Sequence, residues 1–279
     1  MPGFTVTSEN YYGHEAESRY LTNSQRKCFL ECAARWMAKL TGAYVERTKD
    51  VYLYGQYVDV ALTETPGVFL NFCYENQKRI KTAQGKKRAP FLYLDMAIET
   101  VRGEPLLMQY LSGQGQSLIV LEDFHGFPLK CKLDVLNLEQ GFITDLKTAA
   151  DVNKEMFSTK YMQRVTYIDE YEYWAQLAIY REAVWIKHTV DLPCYIIAVE
   201  KEPKDKEADI CVNRALYELD DTDYMENEVR DALQTFKMMQ KLKEDCVDPS
   251  DLPRCETCSY CIKTKVITEP LKIKPKTRF

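Results

Sequence analysis

Histidine is scarce in this 279-residue chain: there are three. His14, His125 and His188 stand far apart and fall into no Ser-His-Asp order or Cys-His pairing, so the common nucleophilic hydrolase arrangements find no support. There is no P-loop and no dinucleotide-binding glycine fingerprint, which argues against an NTP-driven motor. No apolar run reaches the length of a membrane span. The opening MPGFTVTSENYYGHEAE lacks the basic and apolar blocks of a signal peptide, so a cytoplasmic protein with no membrane partner is expected. Positive charge is not in excess. Lys and Arg total 37 against 42 Asp and Glu, for a net charge of −5, and any contact with nucleic acid must rest on local charge. Internal repeats and low-complexity tracts are also missing.

What is present is an ordinary globular composition, 46% hydrophobic and 28% charged, with enough chain for a sizeable core. Ten cysteines in a cytosolic chain argue for thiols or metal ligands rather than disulfides.

A capping box at Thr22 to Gln25 predicts a helix running to about Leu40, with Phe29, Cys32, Ala33, Trp36 and Leu40 on its buried face. A second helix is expected from near Val51 to just before Pro66. Residues 77–88, with six basic residues and no acid, read as a solvated loop. Helices follow at 90–101 and 106–111, and then a sheet region over 117–146. Residues 151–166 read as a connecting segment. A long helix is expected at 168–187, strands at 193–200 and 208–212, and a helix at 226–243. Helices before and after a mixed sheet make an α/β or α+β domain. One domain over 1–279 is expected, with a helical part (1–116), a core sheet and helix (117–215), and a last helix with a Cys-rich tail (216–279).

The most informative stretch is KCKLDVLNLEQGFITDLK, Lys130 to Lys147. Phe127, Leu129, Cys131, Leu133 and Val135 alternate with Lys130, Lys132 and Asp134, a period of two that puts the first group toward a core. Asn137 to Gln140, followed by Gly141, reads as a turn. In the next run Ile143, Asp145 and Lys147 share a face. A four-residue turn pairs Asp134 with Ile143, leaving Asp145 opposite Lys132 and diagonal to Asp134, about 7 Å away. Two carboxylates so placed suit one hard cation such as Mg²⁺, which keeps positions for water and a phosphate oxygen, while Lys147 can orient the water or stabilise the developing charge. Taken alone, the same residues would serve as a salt-bridged surface hairpin.

Three further patterns bear on that choice. Gln176 and Tyr180, at i and i+4, share a helix face and could touch a phosphate or hold Lys147. Gly55 and Asp59 lie four apart in the second helix, where Asp59 could add a metal ligand. Cys255, Cys258 and Cys261 form C-x-x-C-x-x-C, which gathers three thiolates for zinc or an iron–sulfur cluster. The fourth ligand is left open among Cys32, Cys28, Cys246, Cys73 and a histidine.

The order of these motifs resembles the RecB-like branch of the PD-(D/E)XK nucleases. More closely, it resembles the phage and prophage RecE-like exonucleases of the exodeoxyribonuclease VIII type. The resemblance spans nearly the whole chain and implies a restriction-endonuclease-like core with a central mixed sheet. Asp134 and Asp145 become metal carboxylates, the Leu146 carbonyl a further ligand, Lys147 the catalytic lysine, and Gln176 and Tyr180 the motif on the following helix. Asp59 stands where that branch commonly has histidine. The resemblance also implies a 4Fe-4S cluster on Cys32, Cys255, Cys258 and Cys261. The last C-x-x-C is shorter than the gap in many such proteins, which leaves Zn²⁺ as the alternative.

The implied activity is a Mg²⁺- or Mn²⁺-dependent DNA exonuclease resecting linear duplexes to single-stranded tails, in a bacterial host's cytoplasm if phage-encoded. Double-stranded DNA with ends, a single-strand annealing protein and a homo-oligomer are the implied partners. Lys130, Lys132, Lys160, Arg164, loop 77–88 and the tail from Lys263 to Arg278 would meet phosphates, and Phe157, Tyr161 and Tyr167 could stack on a frayed base. The alternatives are a RecB-like or CRISPR-adaptation-type endonuclease, and a non-catalytic, metal-stapled DNA-binding protein.

Overall fold

The computed structural model describes residues 4–46, 50–202 and 211–266. Eight helices precede the sheet: α1 (His14–Arg19), α2 (Asn23–Glu31), α3 (Ala33–Leu40), α4 (Asp50–Thr63), α5 (Pro66–Glu75), α6 (Gln77–Ile80), α7 (Ala89–Arg102) and α8 (Pro105–Tyr110). Strands β1 (Gln114–Phe124), β2 (Phe127–Asn137) and β3 (Phe142–Ala149) follow, then a small hairpin of β4 (Glu155–Ser158) and β5 (Gln163–Thr166). The remainder comprises α9 (Tyr167–Glu170), α10 (Tyr173–His188), β6 (Cys194–Glu200), β7 (Arg214–Glu218), α11 (Thr222–Glu244) and α12 (Ser259–Lys263). No described helix is long and apolar enough to cross a membrane.

The main sheet has the order β1-β2-β3-β6-β7. Its pairings are antiparallel except for β3 with β6, which run parallel. That parallel step needs a crossover, and α10 supplies it. Two apolar layers cover the sheet. One gathers α3, α10 and α11 against Leu129, Leu133, Ile143 and Ile196. The other gathers α4 and α7 against Val135, Leu146 and Ile197.

Several expectations are revised. The predicted helix 22–40 is two helices, because Cys32 is extended (φ −166°, ψ 100°) and its sulfur caps α3 by accepting from the Arg35 amide. Segment 151–166 holds the β4–β5 hairpin. The helix expected at 168–187 is divided at Glu172, which takes a left-handed φ of 53°. Residues 208–210 of the expected strand 208–212 lie outside the described residues, and the observed strand begins at Arg214. Segment 77–88 is not simply a solvated loop: Ile80 is buried, Arg79 pairs with Asp50, and Lys87 pairs with Asp95 beside the Tyr57 hydroxyl.

The β2–β3 turn spans 138–141 and closes on Gly141, whose φ of 79° suits glycine. The register is Leu136 with Ile143 and Val135 with Thr144, two residues from the sequence expectation. Continued by one step, it sets Asp134 beside Asp145 rather than diagonal to it. By sequence the turn begins at Asn137. Asn137 instead ends the strand, and its side chain caps the turn by accepting from the Gln140 amide. Pairing of β2 with β3 stops at Val135–Thr144, and toward Phe127 the free edge of β2 is met by Leu21, which bridges to Leu129. Leu133 joins one apolar layer and Val135 the other, so the alternation breaks at Asp134.

Candidate active site

The wedge where β2 and β3 part holds the acids and the lysine. With no strand partner there, the Leu146 amide donates to Asp134 Oδ2 at 2.8 Å. The Leu146 side chain is buried in the layer beneath. Asp145, 2% exposed, forms a close ion pair with Lys147 and accepts from Gln176 Nε2 at 2.9 Å. The same Gln176 nitrogen lies 3.4 Å from the Tyr180 hydroxyl. The partner of Gln176 is therefore Asp145, not Lys147. Helix α10 carries both Gln176 and Tyr180 because its buried face, Ala175, Leu177, Ala178 and Ile179, packs onto the sheet.

Asp59 reaches the same wedge from α4. It accepts from Gln116 Nε2 with both oxygens, at 3.0 and 3.1 Å, and Gln116 also donates to Thr63 Oγ1 at 3.0 Å. This contact depends on close packing of β1 on α4. A Cβ on Gly115 would lie 1.8 Å from the Thr63 carbonyl oxygen, and Gln116 itself has φ 49°. One turn earlier on α4, a Cβ on Gly55 would lie 3.5 Å from the Thr148 hydroxyl of β3.

The electrostatics follow from burial of like charges. Burial pushes the Asp134 carboxyl well above the usual carboxylate range, and Asp59 and Asp145 push it further. Burial likewise moves Asp59 up to about 6, against the pull of Lys147 and Lys132. At Lys147 burial opposes the charge, but Asp145 and Asp134 outweigh it and raise the pKa. The ammonium also rests 4.9 Å from the centre of the Tyr173 ring. Hard oxygen donors whose charges strain against one another fit a divalent cation such as Mg²⁺ or Mn²⁺. Asp59, Asp134 and Asp145 are the side chains that could hold it, though their carboxylate oxygens are not drawn together as tightly as the four cysteine sulfurs described below.

Some expected contacts lie elsewhere. Lys130 is fully buried, with its ammonium on the Tyr11 carbonyl and 2.7 Å from Glu17. It is held inside by the N-terminal segment and presents no charge to a phosphate. Lys132 does border the site, within 6.0 Å of the exposed Tyr12 ring. Lys160 and Arg164 sit on the β4–β5 hairpin, paired with Glu172 and Glu155. Phe157 is exposed there, whereas Tyr167 is 4% exposed and packs on Tyr173 and Tyr217, so it belongs to the core. Tail residues beyond 266 lie outside the described residues.

Sequence reasoning missed Gln116, Tyr173 and Lys27. Lys27 of α2 donates to the Tyr171 carbonyl at 2.6 Å and lies 5.4 Å from the Tyr173 ring, near Lys147. None of the three belongs to a spaced or repeating pattern in the sequence. The Gly113 to Gln116 run of alternating glycines was the one signal of a close approach.

Cys32, Cys255, Cys258 and Cys261 come together at the far end of α2, with all four sulfurs within 4.8 Å of one another. No other group of three or more His, Cys, Asp or Glu ligand atoms among the described residues is gathered so tightly. Cys28 lies one turn before Cys32 and outside the group, as do Cys73 and Cys246.

A family model described as "PDDEXK-like domain of unknown function (DUF3799)" matches residues 22–264. The chain is also similar to a crystal structure of a "putative exonuclease" from Eubacterium rectale, with 24% identity, 97% of each chain covered and a TM-score of 0.85. At that identity the likeness concerns the fold. None of the curated proteins compared with the chain matches it.

Proposed function

The chain belongs to this PDDEXK-like family, and on that premise we propose that it is a metal-dependent deoxyribonuclease acting as an exonuclease on linear duplex DNA. The observation that carries the reading is the convergence of Asp134, Asp145 and Lys147 at the β2–β3 wedge, with Gln176 on Asp145. A divalent cation bound by the carboxylates would polarise the scissile phosphate and make bound water nucleophilic. Lys147, whose ammonium lies against Asp145, is placed to stabilise charge on the phosphate. Gln176 fixes one Asp145 oxygen and leaves the other to exchange Lys147 for the cation. The exposed Tyr12 and Lys132 border the same wedge and are suited to a nucleotide's base and phosphate.

The wider reading rests on the motif order described above. The product would be single-stranded tails for a single-strand annealing protein, and the enzyme would act as a homo-oligomer. The test is digestion of end-labelled linear duplex with Mg²⁺ or Mn²⁺, by wild type and Lys147→Ala, beside a covalently closed circle. Loss of terminal nucleotides by wild type alone, with the circle intact, is the expected result. Rapid cutting of the circle would replace the exonuclease with an endonuclease. Equal rates for both proteins would remove the assigned site.

A further inference from the structure

We infer that the four cysteines bind a single tetrahedral zinc ion rather than the 4Fe-4S cluster that the motif order implies. With Zn–S bonds of about 2.3 Å, the sulfurs of a tetrahedral site stand about 3.8 Å apart. A cubane puts four irons and four sulfides between its ligands and holds the cysteine sulfurs roughly 6 Å apart. Here Cys32 Sγ lies 3.6 Å from Cys261 Sγ, Cys255 Sγ lies 3.9 Å from Cys261 Sγ, and no pair among the four exceeds 4.8 Å. The same distances are far too long for disulfides, at about 2 Å.

The narrow spacing is built by the backbone. Cys255 Sγ accepts from the Cys258 amide at 3.3 Å, Cys258 Sγ from the Cys261 amide at 3.5 Å, and Cys32 Sγ from the Arg35 amide at 3.4 Å. Each bond holds its sulfur toward a common centre and would be lost if the sulfurs swung outward. Cys32 and Cys261 are also buried, at 3% and 0% exposed, so the core closes around them. The extended Cys32 is what turns its sulfur out of the line of α2. The first-turn amide of Ala34, left free by that break, takes the Pro253 carbonyl at 3.2 Å. Arg254 donates to the Cys261 carbonyl at 2.9 Å and brings positive charge to a centre that four thiolates and one Zn²⁺ leave doubly negative.

The test uses the full chain, expressed with both iron and zinc supplied and purified without oxygen. The expected protein is colourless, with about one zinc per chain and no acid-labile sulfide. Cobalt replacing the zinc should give the intense visible bands of a tetrahedral thiolate site. Cys258→Ser should shift or abolish those bands, and Cys28→Ser should leave them unchanged. If Cys258→Ser fails to fold, the wild-type cobalt spectrum and metal content decide alone. A brown protein with about four irons and as many sulfides per chain overturns the inference. So does a folded chain with neither metal, a disulfide among the four cysteines, or loss of metal from Cys28→Ser.

Discussion

The Leu146 amide donates to Asp134 Oδ2 across the gap where β2 and β3 cease to pair. A backbone donor released from the ladder thus orients one acid, and the next residue along β3 is the lysine. The wedge both exposes the site and fixes its geometry.

Asp134→Asn and Asp145→Asn should each lower cleavage by about a thousandfold or more while leaving DNA binding measurable. Without metal, Asp134→Asn should unfold at a higher temperature than wild type, because the half-buried Asp134 carboxylate faces the like charges of Asp59 and Asp145. A lower unfolding temperature would mean that the hydrogen bond from Leu146 outweighs the repulsion.

Acidity should act on stability and activity in opposite directions. Asp59, raised to about 6 in the folded protein from an ordinary 3.8, contributes stability that is full below its unfolded pKa and lost as pH rises through about 6. Metal-free protein should therefore lose stability on going from about pH 4 to 7, and saturating Mg²⁺ should flatten that slope. Activity should fall below about pH 6 as protons displace the cation. Thermal melts and rates across this range, with and without Mg²⁺, check both halves.

Gln116→Ala removes the two shorter hydrogen bonds to the Asp59 carboxylate and leaves only the 3.5 Å contact from Thr63 Oγ1. Loss of such a supporting contact typically weakens metal affinity about 10- to 100-fold. The half-saturating Mn²⁺ concentration for cleavage should rise accordingly, with the maximal rate changed much less. A maximal rate that falls at unchanged Mn²⁺ dependence would place Gln116 on the substrate instead.

Lys130 and Lys132 should separate cleanly. Lys130→Met breaks a pair that is buried on the lysine side, while Glu17 is 31% exposed. The cost should be about 2 kcal/mol, below the range for a wholly buried pair, with DNA affinity of the folded protein unchanged. Lys132→Ala should leave the melting temperature near wild type and weaken DNA binding, most visibly at low salt. Denaturant titration and fluorescence anisotropy measure the two.

Tyr173→Leu should cost between about 2- and 30-fold in rate, the worth of a cation–π contact to Lys147, and Tyr173→Phe should restore most of it. Equal loss in both would point to the hydroxyl rather than the ring.

Asp134, Asp145, Lys147, Gln176 and the cysteine triplet were legible because each belongs to a repeating or closely spaced pattern. The two-residue error in strand register came from beginning the turn at Asn137, a residue whose side chain caps the turn from within the strand. The split at Cys32 was hidden because a cysteine carries no helix-breaking signal; only its tertiary role demands the extended backbone. Lys130 and Lys132 look equivalent on an alternating strand. What separates them is the segment around Tyr11, more than a hundred residues earlier, which covers one and not the other. Gln116 and Lys27 depend wholly on such long-range packing.

The register of β3 has a consequence for how such chains tolerate insertions and deletions. Three pairs tie β3 to β2, but seven tie it to β6, from Ile143–Cys194 to Ala149–Glu200. The later strand therefore governs which way Asp145 and Lys147 point. Length changes within 138–141 should leave both side chains in place. One residue gained or lost inside 142–147 would exchange them for Leu146 and its neighbours on the buried face. The turn is free to drift in length, and the six residues after it are not.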